Sequence, residues 1–219
     1  MCIRDRGVAG RRRLTGVEPS AAMRDVFMSK LGAGAPIAVV AGSFEHIPLR
    51  TGSQGVVFGA FRSFQHVLTT EAQLAALAEC RRVLRPGGVL ALDFFDPAYH
   101  LLRRAPASLG VTYRSPRSTI VERWESREVD RVAQRVDVTF RWVERDLDGV
   151  LVRDVSATYG VRYTFPVELE HLLARAGFEA IDVRGGYDGR PLAARPRELV
   201  AVCRKPELQP KRSGSKASR

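Results

Sequence analysis

Residues 70–97 read TEAQLAALAECRRVLRPGGVLALDFFDP, and this stretch decides the fold class. Thr70 and Gln73 have the spacing of a capping box, in which two side chains satisfy the first amides of a helix. Leu74, Leu77, Cys80 and Leu84 then recur on one helical face. Arg81, Arg82 and Arg85 crowd the last turn, where cations favour the negative end of the helix dipole. Pro86-Gly87-Gly88 cannot continue a helix, and the glycines permit a reversal. Val89 to Phe95 is almost continuously apolar, as expected of a strand covered on both faces. Asp93 and Asp96 stand at its C-terminal end, the side where open α/β sheets bind ligands.

The flanking sequence repeats this alternation. Leu14-Thr15-Gly16-Val17 reads as a short strand ending on Glu18 and Pro19. Ser20 can cap a helix with Met23, Val26, Phe27 and Leu31 on one face, closed by Gly32. Ile37 to Ala41 and Val56 to Phe61 are further strands, ending respectively at Gly42-Ser43-Phe44 and at Arg62-Ser63-Phe64-Gln65-His66. Strands alternating with helices predict a parallel α/β sheet.

The period then changes. Val136, Val138, Phe140 and Trp142 alternate with polar residues, and so do Val155 to Phe165 with polar or small ones. Period two means antiparallel strands with one wet face. Asp148-Gly149 between them is a hairpin signal, and Ile120 to Trp124 can add a strand. The α/β theme resumes at Pro166, a first helical position, with Leu169, Leu172, Leu173 and Ala176 as its stripe and Gly177 as its end. Ala180–Val183 and Leu199–Val202 are the last strands. The expected organisation is one domain over residues 7–205, with an antiparallel insertion at about 111–165, and a disordered basic tail over 206–219. The first six residues, MCIRDR, match one reading frame of a transposon-end sequencing adapter, so native sequence is expected to begin near Gly7.

Composition narrows the function classes. The 219 residues are 45% hydrophobic, which suits a globular chain with a substantial core. No apolar run approaches the ~20 residues of a membrane span, and the N-terminus has no apolar signal-peptide region. The net charge of +11 resides mainly at the ends: residues 1–13 hold five arginines against one aspartate, and residues 204–219 six basic residues against Glu207. The body is nearly balanced, which speaks against a nucleic-acid face. Cys2, Cys80 and Cys203 share no motif spacing, and four scattered histidines give no metal-ligand pattern. The expectation is a cytoplasmic protein with no nucleic-acid, membrane or metal partner.

TGVEPSAAM (15–23), VVAGSFEHIPL (39–49), VVFGAFRSFQHVLT (56–69) and LRPGGVLALDFFDP (84–97), in this order, resemble the class I S-adenosylmethionine-dependent methyltransferases. The resemblance covers roughly residues 11–205. It implies a Rossmann-like doubly wound, mostly parallel sheet, S-adenosylmethionine as cofactor and a small-molecule N or O acceptor. It also implies that Glu18, followed by Pro19, accepts the cofactor ribose hydroxyls, that Ser43 stands where an acid usually meets the adenine, and that Phe44 walls the adenine. Ala60 and Phe61 would line the methionine part. The family's first strand and glycine-rich loop have no counterpart in the sequence; Gly7-Val8-Ala9-Gly10 lies too close to the second strand to serve. Poor cofactor binding by this chain is therefore expected.

His66 is the candidate general base and His100 a second one, while Asp93 and Asp96 could orient a cationic acceptor. The insertion resembles the antiparallel cap of small-molecule methyltransferases, with Trp124, Trp142, Tyr159 and Tyr163 either lining the acceptor pocket or packing the cap. Two other readings stay open: a nicotinamide-dependent oxidoreductase, and a non-catalytic Rossmann-like binding domain.

Overall fold

In the computed structural model, residues 14–31, 37–95, 97, 103–192 and 198–207 are described. Expectations placed on residues 1–13, Gly32, Asp96, His100 and most of the basic tail lie outside these. The described chain runs β1 (Leu14–Val17), α1 (Ala21–Lys30), β2 (Ile37–Val40), β3 (Gln54–Gly59), a 3₁₀ turn (Ser63–His66), α2 (Thr70–Val83) and β4 (Leu84–Phe95). It continues with β5 (Ala105–Arg114), β6 (Ile120–Asp130), β7 (Arg135–Arg145), β8 (Leu151–Arg162), α3 (Pro166–Arg175), β9 (Glu179–Arg184) and β10 (Glu198–Arg204).

The central layer is mixed, where a mostly parallel sheet lacking its first strand is expected, and it comes in two hydrogen-bonded pieces. β1 and β2 form a parallel pair of four residues each. The second piece has the order β3-β4-β10-β9. Within it β3 and β4 are parallel, whereas β10 is antiparallel to both β4 and β9. Among the described residues no strand pairs with the outer edge of β1 or of β3.

The core lies under the second piece. Leu77, Cys80 and Val83 of α2 and Leu169, Leu172 and Leu173 of α3 pack with Leu90, Leu92 and Phe94 of β4 and Leu199 of β10. Leu92 and Phe94 alternate with Asp93, and all three are buried, which explains the unbroken apolar reading of this strand. The cap of α2 is Thr69 rather than Thr70: its hydroxyl accepts from the Ala72 amide at 3.1 Å. Gln73, expected in the capping box, is instead fully buried and accepts from the Arg162 guanidinium at 2.9 Å. Pro86-Gly87-Gly88 forms an irregularity inside β4 and not a separate reversal. Gly87 there takes φ 70°, a value glycine adopts without strain.

α1 starts as expected, with the Ser20 hydroxyl accepting from the Met23 amide at 3.3 Å. None of its residues is buried, so the expected apolar face does not reach a core. A helix face becomes core only if something lies opposite it. Pro166 opens α3 as expected, and Gly177, at φ 82°, follows its end.

β5 to β8 form a four-stranded antiparallel meander spanning Ala105–Arg162, slightly longer than the expected insertion. Its full register places Arg123, Trp142 and Val155 on one face and Trp124, Arg141 and Ser156 on the other. Val136, Val138, Val161 and Tyr163 bury the first of these faces, with Phe95 of β4 packed against them.

A buried polar knot fastens this sheet to the rest. The Arg162 guanidinium donates to Gln73, Thr164, Gln134 and Glu168 at 2.9, 3.3, 2.9 and 2.6 Å. The Gln65 amide group donates to the Arg162 carbonyl, and its oxygen accepts from the Phe95 amide. Buried polar groups are costly unless paired, so the knot fixes how β8 meets α2 and α3.

Candidate active site

Three loops meet at the C-terminal ends of β1, β2 and β3. A cavity of about 800 Å³ opens there, within the range of small-molecule sites. Glu18, Pro19, Ser43, Phe44, Ala60 and Phe61 line it, and so does His66. The structure thus brings these seven candidates together, while Asp93 does not line the cavity and Asp96 and His100 lie outside the described residues. The cavity also extends between the facing flanks of β1 and β3, along Leu14, Thr15, Gln54 and Val56.

Each loop is held by identifiable partners. The Glu18 amide donates to the Val40 carbonyl at 3.1 Å, one step beyond the β1–β2 ladder. Its carboxylate accepts from the Ser20 amide at 2.9 Å, and the Arg24 guanidinium donates to the carbonyls of Glu18 and Pro19. Ser43 exchanges two backbone hydrogen bonds with His46, closing a tight turn. Gly42 precedes it because a Cβ there would lie 2.7 Å from Pro48 Cδ and 2.8 Å from the His46 carbonyl.

The turn after Ser43 is clamped from α2. The Arg82 guanidinium donates to the carbonyls of Ile47 and Leu49 at 2.7 and 2.8 Å, and Glu79 accepts from the Ile47 amide at 3.0 Å. Glu79 and Arg82 also pair with each other at 2.6 Å, and this hydrogen bond holds the Glu79 carboxyl down at about 2. Sequence spacing marks Arg82 only as a favourable charge at a helix end; its carbonyl partners lie 33 and 35 residues back in the chain.

Phe44 reaches the cavity and the core together. Its ring stands edge-on to Phe64 at 5.4 Å, and Phe64 in turn meets Phe94 at 6.0 Å. Gly59 makes room for it: a Cβ there would sit 3.0 Å from Phe44 Cζ and 2.9 Å from Leu92 Cδ2.

His66 lies at the far side, under β8. Its Nδ1 is 3.0 Å from the Gly160 carbonyl, and its ring meets Tyr159 edge-on at 5.7 Å. A carbonyl only accepts, so the shared hydrogen sits on Nδ1 and the neutral ring keeps its lone pair on Nε2. Phe140 packs against both Tyr159 and Trp142, and the Arg123 guanidinium lies 4.8 Å from the Phe140 ring centre. Burial, followed by the Glu125 charge, raises the Tyr159 phenol above its usual value. Tyr163 is only 2% exposed and belongs to the sheet's packing, and Trp124 projects from the opposite face.

Asp93, which by sequence could orient a cationic acceptor or cap a turn, is bonded on both oxygens within the protein. Its carboxylate accepts from the Arg62 amide at 2.9 Å and from the Tyr187 hydroxyl at 2.5 Å. No pattern in the sequence marks Tyr187, which stands in the loop between β9 and β10. Among the described residues no group of three or more His, Cys, Asp or Glu could hold a metal ion. Cys80 and Cys203 are buried free thiols, and burial pushes both up to about 12.

Residues 3–92 match the family described as a methyltransferase domain. That match covers the strands, loops and helix that build the cavity. This part of the chain is similar to methyltransferase domains. A cypemycin N-terminal methyltransferase from Streptomyces sp is 30% identical over 132 residues, which are 60% of this chain and 50% of that protein. The alignment thus spans half the length of this curated relative. The methyltransferase fold is shared with CcbJ from Streptomyces caelestis, at a TM-score of 0.71 and 24% identity over 89% of this chain and 75% of that one. CalS10, an amino pentose methyltransferase from Micromonospora echinaspora, gives 0.66 and 21% over 90% and 77%. No helix among the described residues is long and apolar enough to cross a membrane.

The residues around the cavity have features that suit S-adenosylmethionine, which is bound in the similar structure of CalS10. They offer one carboxylate at a strand end, an aromatic wall, and at Gly59 a backbone that a side chain would obstruct.

Proposed function

We propose that this methyltransferase transfers a methyl group from S-adenosylmethionine to a nitrogen or oxygen of a small molecule held between the cavity and the β5–β8 sheet. The observation that carries the reading is the convergence of Glu18, Ser43, Phe44, Ala60 and His66 on one cavity. Glu18 accepts the ribose hydroxyls, Phe44 covers the adenine with Ser43 beside it, and the Ala60–Phe61 backbone lines the methionine portion. The cofactor supplies an electrophilic methyl group on a sulfonium; the protein's task is to align the acceptor lone pair with it. His66 Nε2, whose lone pair the Nδ1 hydrogen bond leaves free, takes the proton that a hydroxyl or ammonium acceptor must lose. A nitrogen acceptor is supported by the relative that is an N-terminal methyltransferase.

We further propose that β5–β8 is an acceptor cap, and that the space between β1 and β3 is the place of the sheet's central strand. Two unpaired parallel edges face that space, and unpaired backbone groups call for partners. A gene product carrying a strand and glycine-rich loop before Leu14 then binds cofactor more tightly than the 219-residue chain. Calorimetry on both forms decides this, and equal affinities refute it. Transfer of labelled methyl to a panel of amino sugars, peptide N-termini and phenols tests the activity. Glu18→Ala is expected to weaken cofactor binding about tenfold, the share of a charged hydrogen bond. A longer form that neither binds S-adenosylmethionine nor transfers its methyl group overturns the reading.

A further inference from the structure

Two consecutive residues at the rim of the cavity are left-handed. Phe61 has φ 57° and Arg62 φ 62°, directly after β3 ends at Gly59. Neither is glycine, so both are strained, and such backbone persists only where its surroundings over-determine it. The segment carrying His66 depends on this turn: Arg62 is the cap of the 3₁₀ turn that ends at His66, and its carbonyl accepts from the Gln65 amide at 2.9 Å. The Ala60 carbonyl accepts from the Ser63 amide at 3.3 Å. The same four-residue corner therefore sets Ala60 and Phe61 on one side and His66 on the other.

One side chain holds the corner from below. Asp93, 7% exposed near the end of β4, accepts from the Arg62 amide with one oxygen and from the Tyr187 hydroxyl with the other. Tyr187 is 65% exposed overall, yet its hydroxyl end reaches this buried carboxylate. Burial of that end, followed by the Asp93 hydrogen bond, raises its phenol well above the usual value, so it remains a donor. Three segments far apart in sequence thus meet at one carboxylate.

We propose that Asp93 and Tyr187 are positioning residues, a latch that keeps the Phe61–Arg62 corner left-handed so that the cofactor wall and His66 stay in register. The proposal rests on the reading of the cavity as a cofactor site, but its mechanical part does not. Tyr187→Phe removes only the hydroxyl that fixes the carboxylate. Asp93→Ala removes the acceptor of the Arg62 amide. Asp93→Asn can still accept from that amide and donate to Tyr187, so it is the conservative variant. Arg62→Gly makes the left-handed conformation free of strain and so relieves the need for the latch.

Amide hydrogen exchange of residues 62–66 in the ligand-free chain is the first readout. Tyr187→Phe is expected to speed it about fivefold, the effect of one net hydrogen bond, and Asp93→Ala more, with Asp93→Asn near wild type. Arg62→Gly added to Asp93→Ala is expected to restore S-adenosylmethionine affinity, because the competent corner is repopulated. A residue needed only for packing would show loss without rescue by glycine. Unchanged exchange in Tyr187→Phe and Asp93→Ala overturns the latch. Where Asp93→Ala fails to fold, Tyr187→Phe decides alone, since its ring is exposed. Faster exchange together with no S-adenosylmethionine binding by a longer form that carries the central strand keeps the latch and overturns the cofactor reading instead.

Discussion

The Nδ1 atom of His66 lies 3.0 Å from the carbonyl oxygen of Gly160, 94 residues further on. The first belongs to the loop after β3 and the second to the last strand of the antiparallel sheet, so the candidate base is oriented by that sheet. His66→Ala is expected to lower kcat about a hundredfold while leaving cofactor affinity within about twofold, since no cofactor contact is removed. Single-turnover methyl transfer to the acceptor found by the panel checks it; an equal loss in affinity and rate would assign His66 to binding.

Arg162 ties that same strand to the domain through four side chains. Arg162→Met leaves Glu168, Gln134 and Gln73 without their shared donor. Breaking such a buried set costs about 3 kcal/mol or more. For a chain of this size the expected drop in melting temperature is roughly 6–12 °C. Limited proteolysis should then cut within β5–β8 before the rest; a melting temperature within about 2 °C of wild type would show that the knot contributes little.

Glu79 makes stability depend on acid. Its carboxyl titrates near 2 when folded against an ordinary 4.5, so the unfolded chain takes the proton first as pH falls. The contribution is complete above the ordinary value and is lost as pH drops toward 2. Denaturation midpoints across this window should fall more steeply for wild type than for Glu79→Gln. Parallel curves would show that the clamp on residues 47–49 does not act through this charge.

Gly59→Ala tests the close approach of Phe44. The added methyl would stand 2.9 Å from Leu92 and 3.0 Å from Phe44, both packed against Phe64 or its neighbours. A cost of about 1–3 kcal/mol is expected from overpacking, with a loss of cofactor affinity as Phe44 is displaced. Chemical denaturation and calorimetry measure the two effects separately.

Much of this was legible because the signals are local. The helical stripe through Leu77 and Cys80, the alternation from Val136 to Trp142 and Pro166 at a helix start each depend on neighbours within a turn or a strand. The cap at Thr69 rather than Thr70 is a one-residue displacement between identical residues, which spacing cannot decide. Cavity-lining residues were legible where the resemblance placed them at a strand end, as with Glu18 and Ala60. What escaped was every partnership between distant segments: Asp93 with Tyr187, Glu79 and Arg82 with the loop at 47–49, Arg162 with Gln73. The exposure of α1 escaped for a related reason, since amphipathic spacing shows which face is apolar but not what covers it.

No apolar side chain of β1, α1 or β2 is fully buried, and among the described residues β1 and β2 hydrogen-bond as strands only to each other. The cavity therefore has a soft wall, bearing Glu18 and Ser43, and a hard one, bearing Ala60 and His66 on the main core. Local opening free energies follow buried contacts, so the soft wall opens first and most often. A ligand that grips both walls binds only when the soft one is in place and surrenders affinity for that ordering. In return it stabilises the region from Leu14 to Val40 more than any other. Ligand binding and the folding of this lobe are then two descriptions of a single equilibrium.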